Sequence, residues 1–305
     1  MTAVLSVRNV KKVIGKKTLV KNISFDVRQG EVFGFLGPNG AGKTTTIRMI
    51  VGLIRATEGE IKISGYNVKD NFREAMSQIG SIVENPELYT YLTGWENLKQ
   101  FARMLGGISD ERIKEIAKMV RLDERIHDKV KTYSLGMKQR LGIAQALLGE
   151  PKLLILDEPT NGLDPAGIRE LREFIHHLVQ KENMSVFISS HLLSEVQMIC
   201  DRVAIIHKGS MITVAPIEEL VKKTSDRVEW HVTPVSKAKA LLEEADEVSE
   251  VKIEDERLLC RMNPSRISFY NQHFVGHNIE VHSVKEVVFT LEDLFIELTR
   301  GEQHA

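Results

Sequence analysis

The sequence has few cysteines, little net charge and no long apolar run. Only two of its 305 residues are cysteine, Cys200 and Cys260, and they lie too far apart in the chain for a metal-binding spacing. We expect both to be small buried hydrophobic residues of a reduced, cytosolic protein. The formal net charge is −1, which provides no overall basic field to attract nucleic acid or an anionic membrane.

The chain also lacks membrane-targeting features. No apolar run approaches the ~20 residues that a membrane-spanning helix needs. Residues 1–8 lack the charged and then apolar layout of a signal peptide. If the protein works at a membrane, we expect the spanning segments to belong to another chain. The length and the hydrophobic content of 42% suit a large globular domain with or without a smaller one.

The clearest motif is a glycine-rich stretch at residues 37–45. It fits G-x-x-x-x-G-K-[ST], in which glycines let backbone N–H groups surround phosphate oxygens. An apolar run before it predicts a buried strand, and helical spacing after it predicts a helix whose N-terminus favours anions. This context predicts a P-loop for nucleotide phosphates. The predicted cofactor-binding residues here are Gly37, Pro38, Asn39, Gly40, Ala41, Gly42, Lys43, Thr44 and Thr45.

A second set of candidate residues lies at the end of a predicted strand over residues 152–156. Its continuous apolar character is typical of a parallel sheet that is covered on both faces. Asp157 follows as the expected partner of Thr44 on the Mg²⁺ side of a P-loop, and Lys43 is expected to reach the β- and γ-phosphates. Glu158 can orient or deprotonate a water that attacks the γ-phosphate. ATP and Mg²⁺ are therefore the predicted cofactors.

The rest of the chain predicts an α/β protein with a smaller second domain. Alternating residues over 4–32 predict antiparallel strands, and helical periodicity dominates from about 85 to 146. Within that stretch Thr93 and Glu96 form a capping box, and Ser109 is expected to cap the next helix. After residue 222 the pattern restarts in a βαββαβ-like order, which predicts a small α+β domain over 223–305. A final helix is expected to begin at Thr290.

Residues 133–140 carry the motif that identifies a family. Ser134 is expected to cap a helix and to expose free N–H groups at its start. Lying between a P-loop and the run from Leu156 to Asp164, the motif resembles the signature of the ATP-binding cassette (ABC) ATPases. The resemblance covers about residues 3–222, in motif order. It implies a P-loop NTPase cassette with a parallel core sheet, an antiparallel β subdomain and a helical insertion at about 85–146.

The resemblance also implies how such a cassette works. Family members dimerise head to tail, so Ser134 and Gly136 would contact a γ-phosphate that is bound by the partner's P-loop. Asp164 matches the D-loop, which communicates across the dimer, and can also be a plain helix cap. His191 matches the switch histidine that hydrogen-bonds the γ-phosphate. The catalytic residues are then Glu158 and His191.

Three positions depart from the usual family pattern. Ile14 stands where many members stack an aromatic ring on adenine, so a preference for ATP over GTP is less secure. Glu84 replaces a glutamine that usually contacts Mg²⁺ and the membrane partner, and it joins Thr44 and Asp157 as a predicted metal ligand. Leu135 replaces the first glycine of the signature. Glu84 and the sequence of the signature resemble drug and antimicrobial-peptide exporters of the bacitracin/lantibiotic-resistance type.

We therefore interpret the chain as the cytoplasmic ATPase subunit of a multi-chain ABC exporter, peripheral at the inner face of the cell membrane. The expected partners are a second cassette, identical or paralogous, and a separate transmembrane permease. An importer subunit is an alternative. A soluble ABC protein acting on DNA or ribosomes is another, but the chain has neither a long coiled coil nor a second cassette, and no nucleic-acid partner is expected. The C-terminal domain could regulate, dimerise or cover apolar surface.

Overall fold

The computed structural model describes residues 3–224 and 226–287, which divide into two compact units after Ile217. The domain boundary expected from the sequence lies nearby, at residue 222. The final helix expected from Thr290 lies outside the described residues. Within the described ranges, no helix is both long enough and apolar enough to cross a membrane.

The first unit combines two sheets with a group of helices. Its elements in chain order are β1 (Ala3–Ile14), β2 (Lys17–Arg28), β3 (Val32–Leu36), α1 (Lys43–Ile50), β4 (Glu58–Ile63), β5 (Tyr66–Asn67), α2 (Phe72–Met76), β6 (Ile79–Ile82), α3 (Gly94–Met104), α4 (Asp110–Met119), α5 (Leu135–Leu147), β7 (Leu153–Asp157), α6 (Pro165–Glu182), β8 (Ser185–Ser190), α7 (Leu193–Ile199), β9 (Arg202–His207) and β10 (Ser210–Pro216). A 3₁₀ turn spans Val130–Thr132.

The larger sheet has the strand order β10-β9-β3-β8-β7-β6. Its strands are parallel except for β10, which pairs antiparallel with β9. Strands β3, β7 and β8 are buried along their whole length, as the continuous apolar runs predict. The smaller sheet, β2-β1-β4-β5, is antiparallel. The predicted α/β cassette with an antiparallel subdomain and inserted helices is confirmed.

An aromatic cluster joins the two sheets of this unit. Phe25 of β2 lies 5.5 Å from Phe33, 5.4 Å from Phe35 and 6.0 Å from Phe187, measured between ring centroids. All four rings are buried. Such offset aromatic contacts contribute packing beyond the burial of area alone. The cluster fixes the antiparallel sheet against the strands whose ends carry the site.

Local capping chemistry sets the starts of the helices. Thr93 and Glu96 form the predicted capping box at α3, and Ser109 caps α4 through the N–H of Arg112. Asp164 accepts from the N–H of Gly167 at 2.8 Å and precedes a proline at the first position of α6. These side chains satisfy N–H groups that a helix start leaves free. The three predicted caps are confirmed.

Helix α8 (Ile217–Thr224) begins at the boundary residue between the units. The second unit then contains β11 (Arg227–Thr233), α9 (Val235–Glu243), β12 (Ser249–Glu254), β13 (Arg257–Arg261), α10 (Ile267–Gly276) and β14 (Glu280–Val287). From β11 onward this is the predicted βαββαβ order, and the strands form one antiparallel sheet in the order β12-β13-β11-β14. Trp230 and Phe274 meet edge to face in its buried core. Cys260 belongs to that core, and Cys200 is buried in the first unit.

Candidate functional site

The glycine-rich loop connects β3 to α1 and is shaped by its glycines. A Cβ at Gly37 would lie 2.4 Å from the carbonyl oxygen of Ile206, so only glycine fits beside β9. Gly40 has a φ of 78° with open space around it, a left-handed conformation that glycine adopts without strain. The loop therefore curls tightly before α1 begins at Lys43. Its N–H groups and the helix N-terminus together favour an anion.

Lys43 is nearly buried and turns back toward the loop. Its side chain is 6% exposed, and Nζ donates to the carbonyl oxygen of Gly37 at 2.7 Å. The same Nζ lies 3.1 Å from Oε1 of Glu158. A carboxylate and backbone carbonyl groups of the loop thus hold the lysine in place. The strand–loop–helix motif and the end of β7 meet at this ion pair.

Glu158 and His191 are the first residues beyond two neighbouring strands, β7 and β8. Oε2 of Glu158 lies 2.7 Å from Nδ1 of His191. Glu158 adopts a φ of 49°, which is uncommon for a residue with a side chain and is typical of strained functional positions. Its N–H donates to Oγ of Ser189 at 2.9 Å, which holds this backbone in place.

Asp157 and Thr44 lie together beneath this pair. Asp157 is 2% exposed, and its Oδ1 accepts from Oγ of Ser189 at 2.5 Å. Burial raises the pKa of the Asp157 carboxyl and the nearby Glu158 charge adds to this, while hydrogen bonds from Ser189 and Thr44 and the Lys43 charge oppose it. Because burial disfavours the ionised form of this carboxyl, a cation bound beside it would stabilise that form.

The donor set at this position suits Mg²⁺. Thr44 offers a hydroxyl oxygen and Asp157 a carboxylate oxygen, and Mg²⁺ commonly combines one or two carboxylates with phosphate oxygens and waters. Among residues 3–224 and 226–287, no three His, Cys, Asp or Glu side chains group as a metal site made by protein alone. The pair fits a metal that arrives with a phosphorylated ligand.

A cavity of about 470 Å³ brings most of the residues that were predicted to bind phosphate together. It is lined by Thr18, Leu19, Asn39, Gly40, Gly42, Lys43, Thr44, Thr45, Glu158, Asn161, His191 and Lys208. Of the other predicted loop residues, Pro38 contributes a carbonyl 3.4 Å from Nζ of Lys43. Ala41 is 2% exposed and its carbonyl accepts from the N–H of Gly209. Gly37 and Ala41 therefore pack against the turn region of β9 and β10 and do not line the cavity.

The remaining predicted binding residues lie at a second cavity, of about 510 Å³. Ser134, Gly136 and Asp164 all line it, and it shares no lining residue with the first cavity within the described part of the chain. Ser134 caps α5 as predicted, with Oγ accepting from the N–H of Met137 at 3.3 Å. Leu135 is half exposed at the same rim. The predicted residues therefore form two separate groups within one chain.

Two of the positions that depart from the family pattern lie outside this first cavity. Glu84 has a side chain that is 57% exposed and forms an ion pair with Arg48 of α1. It has a φ of 66° and is absent from the described lining of the cavity. Ile14 ends β1 and is 55% exposed, also apart from that lining. A role for Glu84 at the metal stays a prediction.

Several contributors to the cavity and its supports were not predicted from the sequence, among them Ser189, Lys208 and Thr18. Ser189 holds both Asp157 and Glu158, and its place at the carboxyl end of a parallel strand was an available signal. Lys208 lies in the two-residue turn between β9 and β10, which binds Ala41 and Lys21 through Gly209. Thr18 comes from β2. The last two are brought to the cavity by tertiary contacts that no local pattern records.

Comparison with protein families and curated proteins gives consistent results. The family model described as ABC transporter matches residues 20–161. The uncharacterized ABC transporter ATP-binding protein YhcH of Bacillus subtilis is 48% identical, and the alignment covers 100% of both chains. The bacitracin transport ATP-binding protein BcrA of Bacillus licheniformis is 40% identical over 99% of each chain. The lantibiotic transport ATP-binding protein SrtF of Streptococcus pyogenes is 45% identical over 68% of this chain and 89% of its own.

A solved structure supports the same assignment at the level of the fold. The structure described as an ATP binding subunit of an ABC transporter superposes with a TM-score of 0.64 and is 31% identical. The match covers 72% of this chain and 92% of that one. The share of this chain that it covers is close to the length of the first compact unit.

Proposed function

The chain belongs to the ATP-binding proteins of ABC transporters, whose ATPase activity is coupled to transport, and from this premise we propose how its residues divide the work. Two cassettes enclose ATP and Mg²⁺ between them, and hydrolysis powers export through a separate membrane-spanning chain. The observation that carries the proposal is the convergence of Lys43, Glu158 and His191 on one cavity of about 470 Å³.

Binding of the triphosphate falls to the glycine-rich loop. Its N–H groups and the start of α1 surround the phosphates, and Lys43 supplies a positive charge from a nearly buried position. Thr44 and Asp157 would hold Mg²⁺, which neutralises charge on the β- and γ-phosphates when it is bound. Burial raises the pKa of the Asp157 carboxyl, and a neighbouring cation would favour its ionised form.

Hydrolysis falls to Glu158 and His191. Glu158 orients a water toward the γ-phosphate or takes its proton, and His191 donates a hydrogen bond to the γ-phosphate oxygen. Their contact at 2.7 Å keeps both side chains at the same side of the cavity. Ser189 supports the pair by holding the backbone of Glu158. General base catalysis of this kind contributes roughly 10²- to 10⁴-fold.

A second cassette supplies the remaining contacts. Ser134, Gly136 and Asp164 line a cavity separate from the one that holds Lys43. One copy can therefore use them only on nucleotide that another copy, or a paralogous cassette, holds. The capped start of α5 presents N–H groups suited to a γ-phosphate.

The partner and substrate follow from the relatives. Proteins named for bacitracin and lantibiotic transport align with 40% and 45% identity. We place this chain at the inner face of the membrane, docked on a permease, and assign peptide antibiotics as the exported class. The exposed Glu84 lies on the surface where the resemblance puts the permease contact.

Nucleotide-dependent pairing tests this proposal directly. Glu158→Gln removes the base and keeps the shape, so the full chain with ATP and Mg²⁺ should accumulate as a dimer in size-exclusion chromatography with light scattering. Glu182→Gln changes an exposed glutamate of α6 and should behave as wild type. A Glu158→Gln chain that stays monomeric with ATP, alone and with a paralogous cassette, and that hydrolyses ATP at the wild-type rate would overturn the proposal.

A further inference from the structure

A buried glutamate outside the proposed catalytic pair connects the loops that carry it. Glu195 lies in α7 and is 8% exposed. Its Oε2 accepts from Oγ1 of Thr160 at 2.5 Å and lies 3.2 Å from Oγ of Ser190. Within residues 3–224 and 226–287, no lysine, arginine or histidine forms an ion pair with it. A buried carboxylate without a cation depends on such hydroxyl donors for its solvation.

The two hydroxyls belong to the segments that bear the catalytic residues. Thr160 is the second residue after Glu158 and is 5% exposed. Ser190 immediately precedes His191 and is 2% exposed. The Ser190 hydroxyl also accepts from the N–H of Leu192 at 3.0 Å and lies 3.3 Å from the carbonyl oxygen of Leu192, so it is anchored to the chain just past His191. One carboxylate oxygen of Glu195 thus contacts a hydroxyl group from each of the two loops.

We propose that Glu195 is a positioning residue that sets the distance between Glu158 and His191 by binding Thr160 and Ser190. The assignment rests on the proposed roles of Glu158 and His191. Loss of the carboxylate oxygen releases the two loops from each other and widens the contact that is now 2.7 Å. Small displacements of catalytic groups are costly because productive geometry must be held closely. Nucleotide binding, which uses the glycine-rich loop, is left largely intact.

The test variants of Glu195 differ in whether they keep the oxygen that both hydroxyls contact. Both hydroxyls meet the same oxygen, Oε2, and an amide oxygen has two lone pairs for the same two donors. Glu195→Gln therefore keeps the link without the charge, while Glu195→Ala removes it. Thr160→Val removes one hydroxyl at nearly constant shape, and Thr160→Ser retains it. Glu182→Ala is the matched control at an exposed position of α6.

Steady-state ATPase kinetics of the full chain separate positioning from folding. We expect Glu195→Ala and Thr160→Val each to lower kcat at least tenfold with KM for ATP within threefold of wild type. Glu195→Gln and Thr160→Ser should retain at least half of the wild-type kcat. The double variant Glu195→Ala/Thr160→Val should be no worse than the poorer single one, because both break the same link.

Several outcomes would overturn the assignment. Wild-type kcat in Thr160→Val, or a Glu195→Gln chain as slow as Glu195→Ala, would show that the hydroxyl link does not position the pair. Equal losses in kcat and in ATP affinity would show a general folding defect. If Glu195→Ala fails to fold, the comparison of Thr160→Val with Thr160→Ser alone tests the assignment. The kcat of Glu158→Gln is measured in the same assay. An unchanged kcat in that variant would contradict the proposed catalytic role of Glu158, which is a separate failure from that of the positioning role.

Discussion

Nδ1 of His191 lies 2.7 Å from Oε2 of Glu158, and each residue is the first one past the end of a parallel strand. The other oxygen of Glu158 lies 3.1 Å from Nζ of Lys43. One carboxylate therefore contacts both the residue proposed to bind the γ-phosphate in this chain and the lysine of the glycine-rich loop. Under the proposed function, a γ-phosphate that enters the cavity would compete with Glu158 for both of them. Nucleotide binding would then be linked to the release of the Glu158 carboxylate toward water.

The first prediction concerns the lysine of the loop. Lys43→Ala should weaken ATP binding on the order of a hundredfold. The lysine is proposed to pair with a phosphate of ATP, and truncating one partner of a buried charge pair costs about 2–5 kcal/mol. Fluorescent nucleotide titration of the full chain measures the loss. Lys181→Ala, at an exposed position of α6, is the control and should bind as wild type. Undiminished affinity in Lys43→Ala would contradict the assignment of the cavity.

Much of this site could be predicted because its residues follow strands and loops with strong local patterns. The apolar runs of β3 and β7 and the glycine spacing placed Lys43 and Asp157 at the carboxyl edge of one sheet. Helix caps at Thr93, Ser109 and Asp164 were equally local. Order along the chain was enough for these positions.

Other contacts depend on tertiary geometry that no period or motif records. The turn with Lys208 reaches the cavity only because Gly209 bonds to the carbonyl of Ala41. The pairing of Glu84 with Arg48 joins the helix after the loop to residues beyond β6. Likewise, Glu195 reads in the sequence as one more polar residue of a helix. Its burial appears only when α7 is packed against the strand ends.

The second prediction concerns the pH dependence of stability at Asp157. Burial raises the pKa of this carboxyl in the folded chain, so the folded state binds the proton more tightly than the unfolded state. Stability without metal then falls as pH rises from below the unfolded value of 3.8 through the higher folded value. Asp157→Asn removes this loss, so metal-free Asp157→Asn should have a higher Tm than the wild-type chain at pH 7, with about 2–4 °C expected per kcal/mol.

The same comparison at acidic pH provides the control for Asp157. Below the unfolded pKa both states of the wild-type chain carry a protonated carboxyl, so the difference in Tm between the two proteins should shrink toward zero. Thermal melts in metal-free buffer from acidic to neutral pH measure it. If the Tm of the wild-type chain instead rises relative to that of Asp157→Asn as pH increases, the pKa of Asp157 is not raised by folding.

The third prediction tests Glu84 as a metal ligand against a purely structural role. If Glu84 serves the metal, Glu84→Ala should raise the Mg²⁺ concentration for half-maximal ATPase activity several-fold, whereas Glu84→Gln keeps an oxygen ligand and should raise it less. Arg48→Ala breaks the same exposed ion pair, which contributes at most about 1 kcal/mol. It should leave the Mg²⁺ titration unchanged. Identical titrations for Glu84→Ala and wild type would confine Glu84 to its pair with Arg48.

The fourth prediction uses the separation of the two cavities within one chain. Lys43→Ala disables the glycine-rich loop, and Ser134→Arg places a bulky cation at the start of α5, where it would block a partner's nucleotide. Each variant alone should lose ATPase activity, since both composite sites of its homodimer contain a damaged half. In a mixed dimer one composite site combines both defects, and the other combines an intact loop with an intact helix start.

Mixing should therefore restore activity that neither variant has. With random pairing of equal amounts, half of the dimers are mixed and each has one intact site, so about a quarter of the wild-type activity should return if sites act independently. A chain that carries both substitutions, mixed with either single variant, forms no intact site and is the control. If activity stays at the level of the separate variants while Lys43→Ala and Ser134→Arg both remain folded, nucleotide is not shared between two such chains. The signature residues would then need another role.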